Sequence, residues 1–211
     1  MSSGAGKKFP VMRNTTGLRH KVLQASLALI EEGGLDRLSM REVARKSGVS
    51  HQAPYYYFGD REAILAAIAG EGFSKLAQSC QRTIARAGSE PAKALEGIGR
   101  AYVGFALRHP AYFQAMFRAD AVPLDRYPDV RRREDEAFGI LVAEIGKAFA
   151  DQPSAVRLTI SIACWAMVHG LATLIREGTL TRTVGIPRAR QRQVANEVID
   201  TFTSLFLKDR T

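Results

Sequence analysis

The chain has 211 residues, of which 46% are apolar, and a net charge of +9. That length gives room for one or two domains around a sizeable core, and the excess of base fits an anionic partner such as nucleic acid. No run reaches the ~18 uncharged apolar residues of a membrane span, and no apolar core of signal-peptide length follows Met1. The expected location is therefore the cytoplasm. Cys80 and Cys164 are the two cysteines, far apart and without CxxC spacing. They read as reduced, buried thiols, with neither a metal nor a cofactor expected.

Almost every segment reads as helix, and period-two runs rich in Val, Ile and Thr are absent. The predicted fold class is all-α. Residues 1–13 form a flexible basic arm carrying Lys7, Lys8 and Arg13. A first helix runs from about Thr15 to Glu32, with Leu18, Val22, Ala25 and Leu29 inward, and stops at Gly33 and Gly34. A helix-turn-helix pattern follows and is taken up below. Asp60 can cap a long helix through Ile64, Leu65, Ile68, Phe73 and Leu76 that ends near Gly88. Pro91 opens the next helix, with Leu95, Ile98, Tyr102 and Phe105, and His109-Pro110 breaks it. A short helix holds Tyr112, Phe113, Met116 and Phe117. Residues 120–128 read as a loop, and a charged helix with Arg131, Arg132 and Arg133 begins around Pro128. Pro153 opens the most apolar helix, which contains Trp165 and reads as buried. Residues 178–187 read as another loop, and a last amphipathic helix spans about Arg188 to Leu207.

The stretch Leu38 to Phe58, LSMREVARKSGVSHQAPYYYF, is the most informative. Ser39 and Glu42 have capping-box spacing, and Met40, Val43 and Ala44 share one helical face. Gly48 suits a tight interhelical turn, because glycine adopts positive φ without steric cost. Val49 can plug the angle between the helices. Ser50 can cap the second helix, which leaves His51, Gln52, Ala53, Tyr55 and Tyr56 near its N-terminal end. That end of a recognition helix meets base edges and phosphates. The plain alternative is an ordinary helical hairpin.

Residues 15–62 resemble the N-terminal DNA-binding domain of the TetR (tetracycline repressor) family. The resemblance rests on VLQASLALIEEGGLDRLSMREVARKSGVS and on the continuation YYYFGDREAIL. A second one lies at Trp165-Ala166-Met167-Val168-His169-Gly170, which is similar to the Trp-x-x-x-His-Gly signature of one class of TetR C-terminal domain. RHPAYFQAMF resembles that class as well. The implied organisation is a basic arm at 1–13, a helix-turn-helix domain at 14–62, and a ligand-binding and dimerisation domain at 63–211. Two departures stand out. Pro54 stands where the family has an aliphatic residue. Proline lacks an N–H and disfavours helix at Ala53, so the recognition helix is expected to start late or loosely. Tyr57 replaces a histidine of the family pattern Tyr-x-His-Phe.

The resemblance implies a homodimer on a near-palindromic DNA operator, released by a small effector, with repression the expected sign. Gln52 is the first candidate for base readout, through a bidentate pair with adenine. His51 suits a guanine acceptor or a phosphate, and Ala53 a thymine methyl. Tyr55 and Tyr56 divide between phosphate contact and packing, Tyr57 stands in for the histidine, and Phe58 belongs to the core. Ser39, Arg41 and Ser50 are placed for backbone oxygens, and Arg61 matches the family's phosphate-contacting lysine. Tyr102, Phe105, Phe113, Met116, Phe117, Trp165 and His169 are the candidate pocket residues for a hydrophobic effector. Each also suits plain core packing, and His169 suits a bond to a backbone carbonyl. The last two long helices, with Val194, Val198, Phe202 and Leu205 at helical spacing, suit the dimer surface. Arg108, Arg118 and Arg176 are within reach of an acidic effector but read as surface charges.

An enzyme is not expected. Cys164, His109 and His169 lack a third partner at recognisable spacing, and no HExxH, phosphate loop or carboxylate pair occurs. The remaining rival is a sequence-independent, architectural DNA-binding protein, which would not need a large apolar C-terminal domain.

Overall fold

The computed structural model describes residues 15–118 and 120–207, and the expected basic arm lies outside them. The described residues are helical, with no strand among them. The chain divides into two compact units, one up to Ile64 and one from Leu65 onward.

The first unit holds α1 (Thr15–Gly33), α2 (Met40–Ser47), α3 (Ala53–Phe58) and the first turn of α4 (Arg61–Ala87). Val22, Leu29, Ile30, Val43 and Ile64 form its core, each almost fully buried. Ser26 is buried with them, and its hydroxyl donates to the Val22 carbonyl at 2.8 Å. The capping chemistry is as the sequence predicts. Ser39 Oγ accepts from the Glu42 N–H at 3.2 Å, and Asp60 Oδ1 accepts from the Ala63 N–H at 2.8 Å. Gly48 sits at φ 66, where a side chain is strained, and lets the Val49 N–H close on the Ala44 carbonyl at 3.2 Å.

Ser50 does not cap the second helix of the motif. α3 starts at Ala53, with Gln52 in the capping position and no side-chain cap bond. Pro54 is the reason, and the late start removes its penalty. It occupies the second helical position, where an N–H has no intrahelical acceptor, and its ring is fully buried.

The second unit contains the rest of α4, then α5 (Pro91–Arg108), α6 (Pro110–Met116), α7 (Pro128–Ala148), α8 (Ser154–Arg176), α9 (Thr179–Val184) and α10 (Arg188–Leu207). α5 is its centre and packs against α7, α8 and α10. α4 and α6 cross closely at Gly72, where a Cβ would come within 2.6 Å of Met116 Sδ. Arg100 on α5 pairs with Asp200 on α10.

Three expectations are corrected here. The 178–187 segment is not simply a loop, because Gly178 and Gly185, both left-handed, bracket the helix α9. Cys164 is only half-buried, unlike Cys80. α8 is not a buried helix, for Val156, Leu158, Ile162 and Leu174 are exposed along it. By length and composition alone it is apolar enough to cross a membrane.

Candidate nucleic-acid interface and ligand cavity

Ser39, Arg41, Ser50, His51, Gln52, Tyr55 and Tyr56 are all exposed, at the start of α2 and around α3. Tyr56 is 71% exposed, so most of its surface lies open to solvent. The His51 and Tyr55 rings lie 5.8 Å apart. Arg41 has no ion-pair partner among the described residues, whereas Arg45 pairs with Glu42 at 2.7 Å and Lys46 with Glu32 at 2.5 Å. Ala53 is half-buried. Phe58 is half-buried rather than fully in the core, and the Arg19 guanidinium lies 4.8 Å over its ring.

Two expected contacts are disposed differently. The Tyr57 hydroxyl is buried and has no hydrogen-bond partner among the described residues. Its ring packs edge-on against Tyr56 at 5.1 Å. Arg61 donates through Nε to the Leu38 carbonyl and through Nη2 to the Leu35 carbonyl, both at 2.8 Å. These bonds tie the first turn of α4 to the segment leading into α2.

The second unit contains a cavity of about 380 Å³. α4 supplies Phe73, Leu76 and Cys80 to its wall, and α5 supplies Ile98 and Tyr102. Phe117, Trp165 and Val168 continue the apolar surface. α7 closes it with Phe138 and Leu141, and adds a polar end of Arg131, Glu134 and Asp135. Three of the seven expected pocket residues, Tyr102, Phe117 and Trp165, therefore line it. Phe105, Phe113 and Met116 are buried in the core instead. Sequence reasoning missed the α4 and α7 walls. The signal was present as Phe73, Leu76 and Cys80 at helical spacing, and as Phe138 with Leu141.

His169 stands just behind the wall. Its Nδ1 is 2.8 Å from the Tyr102 hydroxyl, so its partner is a side chain and not the expected carbonyl. The Phe117 ring meets it edge-on at 4.8 Å and Phe113 stacks on it at 5.4 Å. Burial, and then the charge of Arg176, push the imidazole below its ordinary value of 6.5, so it is neutral near pH 7. Burial also raises the Tyr102 phenol and pushes the Cys80 thiol up to about 12. Both stay protonated, which argues against a reactive thiolate. Glu134 is raised from 4.5, because burial outweighs the pull of Arg131, and Asp135 adds to the rise. None of Arg108, Arg118 and Arg176 lines the cavity. Arg118 pairs with Asp120 at 2.7 Å, and Arg176 lies 5.0 Å over the Phe113 ring. No group of three or more His, Cys, Asp or Glu able to hold a metal occurs among the described residues.

A family model described as bacterial regulatory proteins of the tetR family matches residues 22–68. Another, described as the tetracyclin repressor-like C-terminal domain, matches residues 95–202, about half of the chain. The chain belongs to the TetR family. It is 37% identical over 57 residues to the uncharacterized HTH-type transcriptional regulator YvdT of Bacillus subtilis, a match spanning 27% of this chain and 29% of that relative. Against the HTH-type transcriptional repressor KstR of Mycobacterium tuberculosis, identity is 28% over 167 residues, 77% of this chain and 74% of that one. A protein of unknown function from Rhodococcus sp. RHA1 shares the fold with a TM-score of 0.73 at 28% identity, covering 92% of this chain and 98% of its own. The TetR family transcriptional regulator PfmR from Thermus thermophilus superposes with a TM-score of 0.66 at 19% identity, covering 89% and 97%.

Proposed function

We propose that this TetR-family chain is a transcriptional repressor that binds a near-palindromic operator as a homodimer and is released by a small hydrophobic effector. The observation that carries the effector reading is the apolar cavity, whose wall includes Phe73, Leu76 and Cys80 of α4. The same helix begins at Arg61, whose guanidinium is bonded to the segment ahead of α2. An effector pressing on the α4 wall displaces a helix that the first unit is bound to. In a dimer this changes the separation of the two α3 helices, and the free protein's match to the groove spacing is lost. The relatives named as transcriptional repressors support the sign of regulation.

The dimer reading rests on two helix faces. α10 buries Gln191, Ala195, Ile199 and Thr203, one every fourth residue, and leaves Val198 and Leu205 exposed. α8 leaves Val156, Leu158, Ile162 and Leu174 exposed. Apolar faces of this length on two long helices suit a four-helix bundle with their symmetry mates.

Selecting DNA ligands from a random pool at ~150 mM salt tests the whole reading, since that salt suppresses purely electrostatic binding. A palindromic consensus supports a dimeric operator-binding protein. A folded protein that binds DNA yet enriches no sequence would overturn it in favour of architectural binding.

A further inference from the structure

The polar lining of the cavity comprises Tyr102 and Trp165 on one side and Arg131, Glu134 and Asp135 on the other. Trp165 Nε1 lies 3.4 Å from the Tyr102 hydroxyl oxygen, and an indole N–H can only donate. The Tyr102 oxygen accepts from Trp165, and the hydroxyl shares a second hydrogen bond with Nδ1 of His169, whose direction follows the imidazole tautomer.

The charged groups all lie at the α7 end. Arg131 Nε lies 3.4 Å from Asp135 Oδ1 and 4.0 Å from Glu134 Oε2. Among the described residues the one cation lining the cavity is thus shared between two carboxylates, and the trio carries a net negative charge. Glu134 is the half-buried member, and burial, offset only in part by Arg131 and reinforced by Asp135, holds its proton more tightly than usual. Arg133, on the same helix, is spent elsewhere, on Ser74 Oγ at 3.0 Å and the Gly70 carbonyl. A carboxylate head entering here meets like charge. A cationic head supplies the missing counter-charge while its apolar body fills the wall of Phe73, Phe117, Phe138 and Trp165.

We propose that the cavity selects an apolar amine, with the ammonium held at Glu134 and Asp135, over a carboxylate of the same body. This rests on the reading of the cavity as the effector site and names its ligand class. Trp165 is the sole tryptophan and lines the cavity, so its fluorescence reports occupancy directly.

The test uses the full chain with 4-phenylbutylamine, 4-phenylbutanol and 4-phenylbutanoate, which share one body and differ in head charge. Binding is read by Trp165 fluorescence and by calorimetry. The amine is expected to bind about tenfold tighter than the carboxylate, with the alcohol between them. Glu134→Gln is expected to bring the amine down to the affinity of the alcohol and to leave the alcohol unchanged. Asp135→Asn, at a more exposed position, is expected to shift the amine in the same direction by less, and it decides the matter if Glu134→Gln does not fold. A carboxylate that binds as well as the amine would overturn the proposal while leaving the cavity as an effector site. So would an amine-to-alcohol ratio untouched by both substitutions. No binding by any of the three probes would overturn the effector-site reading, and the proposal with it.

Discussion

The Tyr102 hydroxyl and His169 Nδ1, 67 positions apart in the chain, meet at 2.8 Å and join α5 to α8 behind the cavity wall. A neutral ring can accept the hydroxyl proton at Nδ1, whereas a ring carrying a proton on Nδ1 donates to the hydroxyl oxygen instead, so the direction of the bond follows the state of His169. Burial and Arg176 depress the His169 pKa in the folded state. The sign follows from linkage. As pH falls through about 6.5, the unfolded chain takes up this proton before the folded one, so stability is lost. Above that pH the contribution is flat.

Thermal unfolding should therefore show a larger drop between about pH 7.5 and 5.5 for the wild type than for His169→Gln, which removes the titration. Comparing the two chains cancels the contribution of every other group. Parallel pH profiles would mean that His169 takes up its proton as readily in the folded chain as in the unfolded one.

Tyr57 makes the opposite case. A buried hydroxyl without a partner costs the free energy of its lost hydration. Tyr57→Phe is expected to raise stability by about 1 kcal/mol in urea unfolding. It is also expected to leave operator affinity within about twofold, because the oxygen faces inward in the free chain. A tenfold loss of affinity would show instead that DNA binding turns this hydroxyl outward to a phosphate.

How far the sequence was legible depends on how local each determinant is. Ser39, Gly48 and Asp60 act within three or four residues of themselves, and the elements they bound are found where the sequence predicts them. Pro54 was legible as a disturbance, yet its remedy was not. Sliding the helix start to Ala53 depends on a ring that packs into the core. α9 was hidden between two glycines, and its stabilising bonds are partly distant. Thr181 Oγ1 donates to the Ile186 carbonyl at 2.9 Å and accepts from Gln191 Nε2 at 2.8 Å. The cavity was half legible. Aromatic residues on α5 and α8 announced an apolar site, but which of them face a void depends on where the helices cross. Phe105 is 2% exposed, behind the wall, while Phe138 on α7 faces the cavity.

Gln52 and Arg41 are both exposed, and their side chains suit different tasks. An amide can read adenine bidentately, so Gln52→Ala should cost about 1–3 kcal/mol on the selected operator and little on scrambled DNA. A guanidinium without an internal ion pair suits a phosphate. Arg41→Ala should therefore weaken both DNAs alike and reduce the slope of log affinity against log salt by about one. Binding isotherms on the two DNAs over a salt series separate these outcomes. Equal losses on both DNAs for Gln52→Ala would remove it from base readout.

The exposed apolar faces of α8 and α10 carry the last prediction. Ile162 is 49% exposed in the single chain, on the stripe that also presents Leu158. If a second copy covers this face, Ile162→Glu forces an unpaired carboxylate into an apolar interface, a penalty of several kcal/mol. Sedimentation at micromolar concentration should then show a dimer for the wild type and a monomer for the variant. Helical content should hardly change, because the side chain is not part of the core of its own chain. Operator affinity should fall with the dimer, since each chain carries one α3 helix and a palindrome needs two. Fluorescence of Trp165 with a bound probe separates loss of the dimer from loss of the cavity. A variant that stays dimeric would move the interface away from α8, leaving the exposed face without the partner argued for it.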